Sequence, residues 1–396
     1  MFRKYLVLLR KPDVAQMVVI ACLSRMPMGM VGLSMLMFLR EALGSFTLAG
    51  SAVGAYFIAM AAGAPIQGRL MDRIGPRLPL LVTGSIQPLA LITLLICARF
   101  NLPYSTVLAC AIASGAFQVP ITVLTRTLWR LRFDDESDRR LAFAIDAVMI
   151  EVNFTMGPAL VAAMLAIAHP TAAFVMSIAV VIGAFLLFMR SPSLKYWKHD
   201  PHAERQMFGP LTEPRLRLVF AVSFGLTFSL GMLEVGYPGY ATMIGLPALG
   251  GVLLAINSTG SAAGGAIYGA LHLRAPVERQ FAFTLALMAL PLFLHAWVDQ
   301  RIMFAIVAFF AGVAIAPTII SQTLLVSRLS PSKYATEAFT WSSTFIISGL
   351  GTGMAVGGIL IETHGVKSAF LAGGISVAAM SGIALLLAPK NTAHAD

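Results

Sequence analysis

Charge is what this chain has least of. Only 12% of its 396 residues are Asp, Glu, Lys or Arg, roughly half the share of a soluble protein. Cysteine is nearly as scarce: Cys22, Cys97 and Cys110 all fall inside apolar stretches, so no disulfide framework is indicated. The 7 histidines are scattered and join no cysteine cluster, which leaves no metal site to expect. A glycine-rich phosphate loop ending in Lys-Ser or Lys-Thr is missing, so no nucleotide cofactor is expected. There is no long polar region to hold a catalytic or signalling domain, and an enzyme is not expected.

What the chain has is apolar sequence, 58% of it hydrophobic with a mean hydropathy of +0.82. The charges that exist are gathered into short clusters between apolar stretches of about 20 residues, the length of helix that crosses a bilayer core. Twelve such spans are expected, near 14–39, 46–67, 78–98, 103–125, 141–166, 170–189, 216–242, 246–270, 280–298, 302–326, 335–360 and 367–388. Porin-like alternation is absent, so helices must satisfy the backbone. The chain is therefore read as an all-α membrane protein.

Orientation comes from the basic residues. Arg40, Arg99, Arg301 and Lys367 fall on one side, Arg25 lies within a span, and the rest of the 28 Lys and Arg share the other side. That bias predicts both termini in the cytoplasm of a multi-pass cell (inner) membrane protein. It also accounts for the net charge of +10 without a nucleic-acid partner. The N-terminal MFRKYLVLLRKPD has too short an apolar stretch and no small-residue cleavage site, so a retained interfacial segment is expected.

The longest polar connection, Ser191 to Pro214, divides the spans six and six. The halves also repeat. AGAPIQG (62–68) in the second span matches AGGAIYG (263–269) in the eighth, and GAFQVPI from Gly115 in the fourth matches GVAIAPT from Gly312 in the tenth. Each match is weak alone, but in register with hydropathy they predict two pseudo-symmetric six-helix bundles, residues 1–190 and 215–396, joined by a cytoplasmic linker at 191–214. Secondary transporters use such halves, with the binding site near the bilayer midplane between them.

The most specific motif is GRLMDRIGPRL, residues 68–78. Gly68, Asp72, Arg73, Gly75 and Arg77 resemble the loop between the second and third helices of the major facilitator superfamily, with Pro76 where the family usually has a basic residue. The resemblance extends over the twelve spans, the long central connection and the stretch PSKYATEAFTW (331–341) followed by a glycine-rich helix and ETHG. It implies a transporter that works by alternating access, with Asp72 latching the start of the eleventh helix and Glu337 there facing Arg73 or Arg77. Gly157-Pro158, in a segment that resembles the signature of proton-coupled exporters, is expected to break or bend the fifth span. Here Asn153 replaces one family glycine, and Ala162 and Ala163 stand where a glycine pair would follow.

Arg25 poses the sharpest question, because a guanidinium at the bilayer centre costs about 2.5 to 3.5 kcal/mol even on lenient scales. Counting rise along the first and fifth spans sets Glu151 level with Arg25, so an Arg25–Glu151 ion pair is expected. Asp146, about 140° around the helix from Glu151, is assigned another partner, and Glu234 falls toward the outer side of the seventh span. These four are the candidates for proton coupling or a central ion pair. Such a pair can fix packing alone, couple protons to a solute, or leave Arg25 to bind an anionic one.

Tyr56, Gln118, Asn153, Asn257, Gln322, Tyr237 and Trp341 are candidates to line a cavity, although polar residues in spans commonly bond a neighbouring helix. Gly349, Gly353 and Gly357, Ser261, Gly265 and Gly269, and Gly50 with Gly54 form small-residue stripes. The resemblance, which pairs helix two with eleven and five with eight, places them between the halves, where static packing would select the same residues. Methionines 26, 28, 30, 35 and 37 read as gap fillers rather than copper ligands, and His295 beside Trp297 as an interfacial residue. The function expected is proton-coupled export of a small organic molecule by a monomer, or alternatively proton-coupled uptake of a small organic anion held by Arg25.

Overall fold

The computed structural model describes residues 11–133, 135–191, 194, 209–271, 273–331 and 335–387. The N-terminal segment and nearly all of the central linker lie outside them. The first helices are α1 (Pro12–Leu43), α2 (Phe46–Ile74), α3 (Arg77–Arg99), α4 (Tyr104–Ala116), α5 (Ile121–Arg132), α6 (Glu136–Ile167) and α7 (Pro170–Met189). They are followed by α8 (Pro214–Met243), α9 (Ala248–Ala270), α10 (Val277–His295), α11 (Arg301–Val313), α12 (Ile315–Leu329), α13 (Ala335–His364) and α14 (Val366–Ala384). Among the described residues, 9 helical stretches are long and apolar enough to cross a membrane unaided. The fourth, fifth and eighth spans are the weaker ones: the fourth is broken, the apolar part of α6 is only Val152–Ile167, and α9 carries Asn257, Ser258, Thr259 and Ser261.

The break in the fourth span falls just before a proline, and the arrangement recurs in the tenth. Proline lacks an N–H and its ring collides with the carbonyl four residues back. Accordingly α4 stops at Ala116, four before Pro120, and α11 stops at Val313, four before Pro317. By contrast α6 runs unbroken through Gly157-Pro158, contrary to a break there. Its register is fixed instead by close packing, since a Cβ on Gly157 would meet the Gly29 Cα at 2.7 Å.

The repeated motifs meet at these breaks. A Cβ on Gly63 of α2 would meet the Ala116 carbonyl oxygen at 2.4 Å, and one on Gly264 of α9 would meet that of Val313 at 1.8 Å. Gly115 approaches the Tyr56 carbonyl oxygen as Gly312 approaches that of Asn257. The helix partners repeat as well: α1 packs on α6 and α7 as α8 packs on α13 and α14, and α2 on α4 as α9 on α11. The chain is thus two pseudo-symmetric helical bundles, joined chiefly where α2 meets α13 and α6 meets α9.

The small-residue stripes are divided differently from the expectation. Gly349 and Gly353 lie on the carbonyls of Phe224 and Phe228, and Gly357 on Met232, all on α8 within the same bundle. Of the α9 stripe, Gly265 likewise faces its own bundle, where an added Cβ would meet the Ala316 Cβ of α12 at 3.0 Å, while Gly269 has nothing within 4 Å among the described residues. Gly50 and Gly54 do lie on the seam between bundles, as expected, but against Gly351, Met354, Ala355 and Gly358, and Gly251 joins them against Pro158 and Ala162. A helix turning 100° per residue carries two stripes on different faces, and spacing alone does not say which partner each will meet.

These contacts lie in the half of the bilayer remote from the basic face, the one from which α1 starts. Toward the basic face, Gly68 has nothing within 4 Å. Gly54→Val is expected to cost about 1 to 3 kcal/mol by overpacking, since its Cβ would meet the Gly351 carbonyl oxygen at 2.4 Å. Gly68→Val should stay within about 0.5 kcal/mol; thermal unfolding in detergent compares the two.

Candidate functional site

The first buried charge is Arg25, whose Nη2 donates to Asp146 Oδ1 at 2.6 Å, with both side chains 1% exposed. Among the described residues the partner is Asp146; the Glu151 side chain, expected from depth to pair with Arg25, lies outside them. The depth count itself was sound, because Gly29 of α1 packs on Asn153 and Gly157 of α6. One turn earlier, the Arg25 backbone is therefore roughly level with position 151. Helical side chains lean toward the helix N-terminus, however, and arginine is long enough to carry its head group about a turn back toward the basic face. There Asp146 stands on the same face of α6 as Asn153 and Gly157, two and three turns away from it, while Glu151 is about 140° off that face.

The remaining guanidinium atoms, Nε and Nη1, are buried and have no hydrogen-bond partner among the described residues. Asn153 lies on the same α1–α6 interface: its Nδ2 donates to the Met149 carbonyl at 2.7 Å and lies 3.9 Å from the Cys22 sulfur. In α8, Glu234 is half-buried and has neither an ion pair nor a hydrogen bond among the described residues. The membrane-spanning part thus holds, among the described residues, one neutralised cation on α1 and one acid without a partner on α8.

Most other cavity candidates tie helices together. Tyr56 donates to Gln118 in the break of the fourth span. Asn257 donates to the Ala308 carbonyl at 2.9 Å and to the Tyr237 hydroxyl at 3.5 Å, and Gln322 donates to the Ser342 hydroxyl at 2.7 Å. Trp341 is half-buried, with its ring 6.2 Å from that of Phe345. Met30, Met35 and Met37 are core residues.

His295 is not interfacial but 1% exposed. Its ring is stacked on Phe370 at 4.7 Å and edged by Phe304 and Tyr237, and its Nδ1 bonds the Pro291 carbonyl oxygen. These rings come from α8, α11 and α14, so local sequence around His295 gives no hint of them.

At the basic face, Gly75 sits at φ 82°, the left-handed region that glycine tolerates without strain; it turns the chain from α2 into α3. Arg73 and Arg77 are exposed and Glu337 is half-buried, with no ion pair between them among the described residues. The Asp72 side chain lies outside the described residues. At the same face, Arg132 and Lys11 pair with Asp13 and Asp138, at 2.6 and 3.1 Å, fastening the start of α1 to the end of α5 and to the start of α6.

Two repeated bundles of helices, with 9 stretches among the described residues long and apolar enough to cross a membrane, have the architecture of a secondary transporter. The family model of the Major Facilitator Superfamily matches residues 17–346, and the chain belongs to that superfamily of small-molecule transporters. Solved structures agree on the fold. The nucleoside transporter NupG superposes with a TM-score of 0.72 at 12% identity, over 94% of this chain and 98% of that one. The human organic anion transporter MFSD10 (TETRAN) superposes with a TM-score of 0.63 at 14% identity, over 94% and 97%. No curated protein sequence matches the chain.

Proposed function

We propose that the chain exports a small organic molecule, neutral or cationic, in exchange for protons, from a plasma membrane whose cytoplasmic side is the basic face. The observation that carries this reading is the asymmetry of the two charges. Arg25 is already met by Asp146 at 2.6 Å, whereas Glu234 is met by nothing among the described residues. A charge submerged without a counter-charge must be answered by water, a proton or a cationic group. An acid of this kind suits a solute and a proton that take turns. An anion would have to displace Asp146 from Arg25, which makes uptake of an organic anion the weaker reading.

The closed seam fits a state that loads from the cytoplasm. α2 and α13 meet through glycines in the half away from the basic face, and alternating access would reverse this arrangement by rocking one bundle on the other. At 12 to 14% identity, the solutes of the solved neighbours do not transfer to this chain.

The test uses purified protein in liposomes with an internal pH dye and a panel of cationic, neutral and anionic solutes. Cationic or neutral solutes should move protons in the opposite direction, in step with their own flux. Proton movement with anions alone, or flux of every solute without proton movement, would overturn the reading.

A further inference from the structure

The face remote from the basic one carries a polar contact that joins the two bundles. Glu362 stands third from the end of α13, and its Oε2 accepts hydrogen bonds from the Ser45 hydroxyl at 2.6 Å and from the Thr47 N–H at 2.7 Å. Ser45 is the N-cap of α2, and its oxygen also accepts from the Leu48 N–H at 3.1 Å. The first N–H groups of a helix have no partner within it and carry the positive end of its dipole. Glu362 therefore closes the start of a helix in the other bundle with a charged acceptor, the stronger kind of hydrogen bond.

Directly beneath this contact the two backbones touch. A Cβ on Gly358 would meet the Phe46 carbonyl oxygen at 2.3 Å, and one on Gly50 that of Met354 at 2.7 Å. The pairing of 46 with 358 and of 54 with 351 makes α2 and α13 antiparallel, which is why the last turn of one lies on the first turn of the other. If the bundles rock apart at this face, both Glu362 bonds break together, because donors and acceptor belong to different bundles.

We infer that Glu362 is a positioning residue of the transport cycle: it clasps the first turn of α2 and holds the outer gate shut while the opposite side is open. The inference rests on the transport reading but not on any choice of solute or coupling ion. A packing role alone would leave the balance of open and closed forms unchanged.

The experiment is a distance measurement between spin labels at Phe100→Cys and Ile302→Cys, 73% and 70% exposed on the two bundles near that face. The three native cysteines, Cys22, Cys97 and Cys110, are replaced in this background. The parent should give one dominant short distance in liposomes. Glu362→Gln should add a longer population, with the open-to-closed ratio rising about 3- to 10-fold, as expected for a partly hydrated charged hydrogen bond. Ser45→Ala, which removes one of the two donors, should give a smaller shift in the same direction and serves as the check if Glu362→Gln does not fold. Distributions that superpose on the parent in the folded variants overturn the clasp. Because no solute is added, that failure would leave the transport reading standing, to be judged by the liposome fluxes.

Discussion

Asp146→Asn should cost about 3 to 5 kcal/mol of stability, the loss measured when a buried ion pair is broken by removing one partner. Arg25 stays protonated in proteins, and its Nε and Nη1 lack partners among the described residues, so loss of the Nη2 bond takes away the counter-charge that the structure shows for it. Arg25→Gln should cost less, because the abandoned Asp146 can escape its charge by taking a proton. A double variant, Arg25→Met with Asp146→Leu, should recover most of the loss, since removing both charges also removes their desolvation cost. Thermal unfolding of the four proteins in one detergent checks the order. If Asp146→Asn were as stable as the parent, or milder than Arg25→Gln, the 2.6 Å contact would not be what neutralises Arg25.

The same set separates packing from coupling. A folded double variant that still accumulates solute against a gradient confines the pair to holding α1 on α6. One that only exchanges solute puts the pair on the energy-converting path. The distinction matters because buried ion pairs are weak evidence for stability in themselves.

Much of the architecture was legible in the sequence because it depends on one-dimensional quantities. Span length, the bias of Lys and Arg, and the echo between AGAPIQG and AGGAIYG all survive without knowledge of packing. The prolines were not legible: helices end four residues before Pro120 and Pro317, inside spans expected to be continuous, whereas α6 runs through Gly157-Pro158, where a break or bend was expected. Nor was what depends on direction around a helix. Depth placed Arg25 opposite position 151, but the lean of a long side chain carries its head group to Asp146. The glycine stripes were found, yet Gly349, Gly353 and Gly357 turned out to serve α8 while Gly351 and Gly358 serve α2. Glu362 was seen only as part of ETHG, because its donors at Ser45 and Thr47 come from the far end of the chain. Aromatic rings from three helices likewise turned His295 from a surface residue into a core one.

Glu234→Gln should lower gradient-driven accumulation by about 5- to 150-fold, the range of a site-to-site coupling of about 1 to 3 kcal/mol, while solute exchange across a membrane without a gradient stays near the parent rate. The amide keeps the shape and hydrogen-bonding reach of the acid but neither binds a proton nor carries charge. Exchange needs only that a loaded carrier reorient, whereas net accumulation also needs the empty carrier to return with its acid protonated. Glu151→Gln, set beside it, decides whether an acid on α6 shares the task, since that residue lies level with Arg25 but off the face that holds Asp146. The readouts are accumulation of a solute found in the panel and counterflow of the same solute in the same vesicles. Accumulation at the parent level in Glu234→Gln would remove this carboxyl from the proton path and turn attention back to the Arg25–Asp146 pair. Loss of accumulation and exchange together would make Glu234 a ligand of the solute instead.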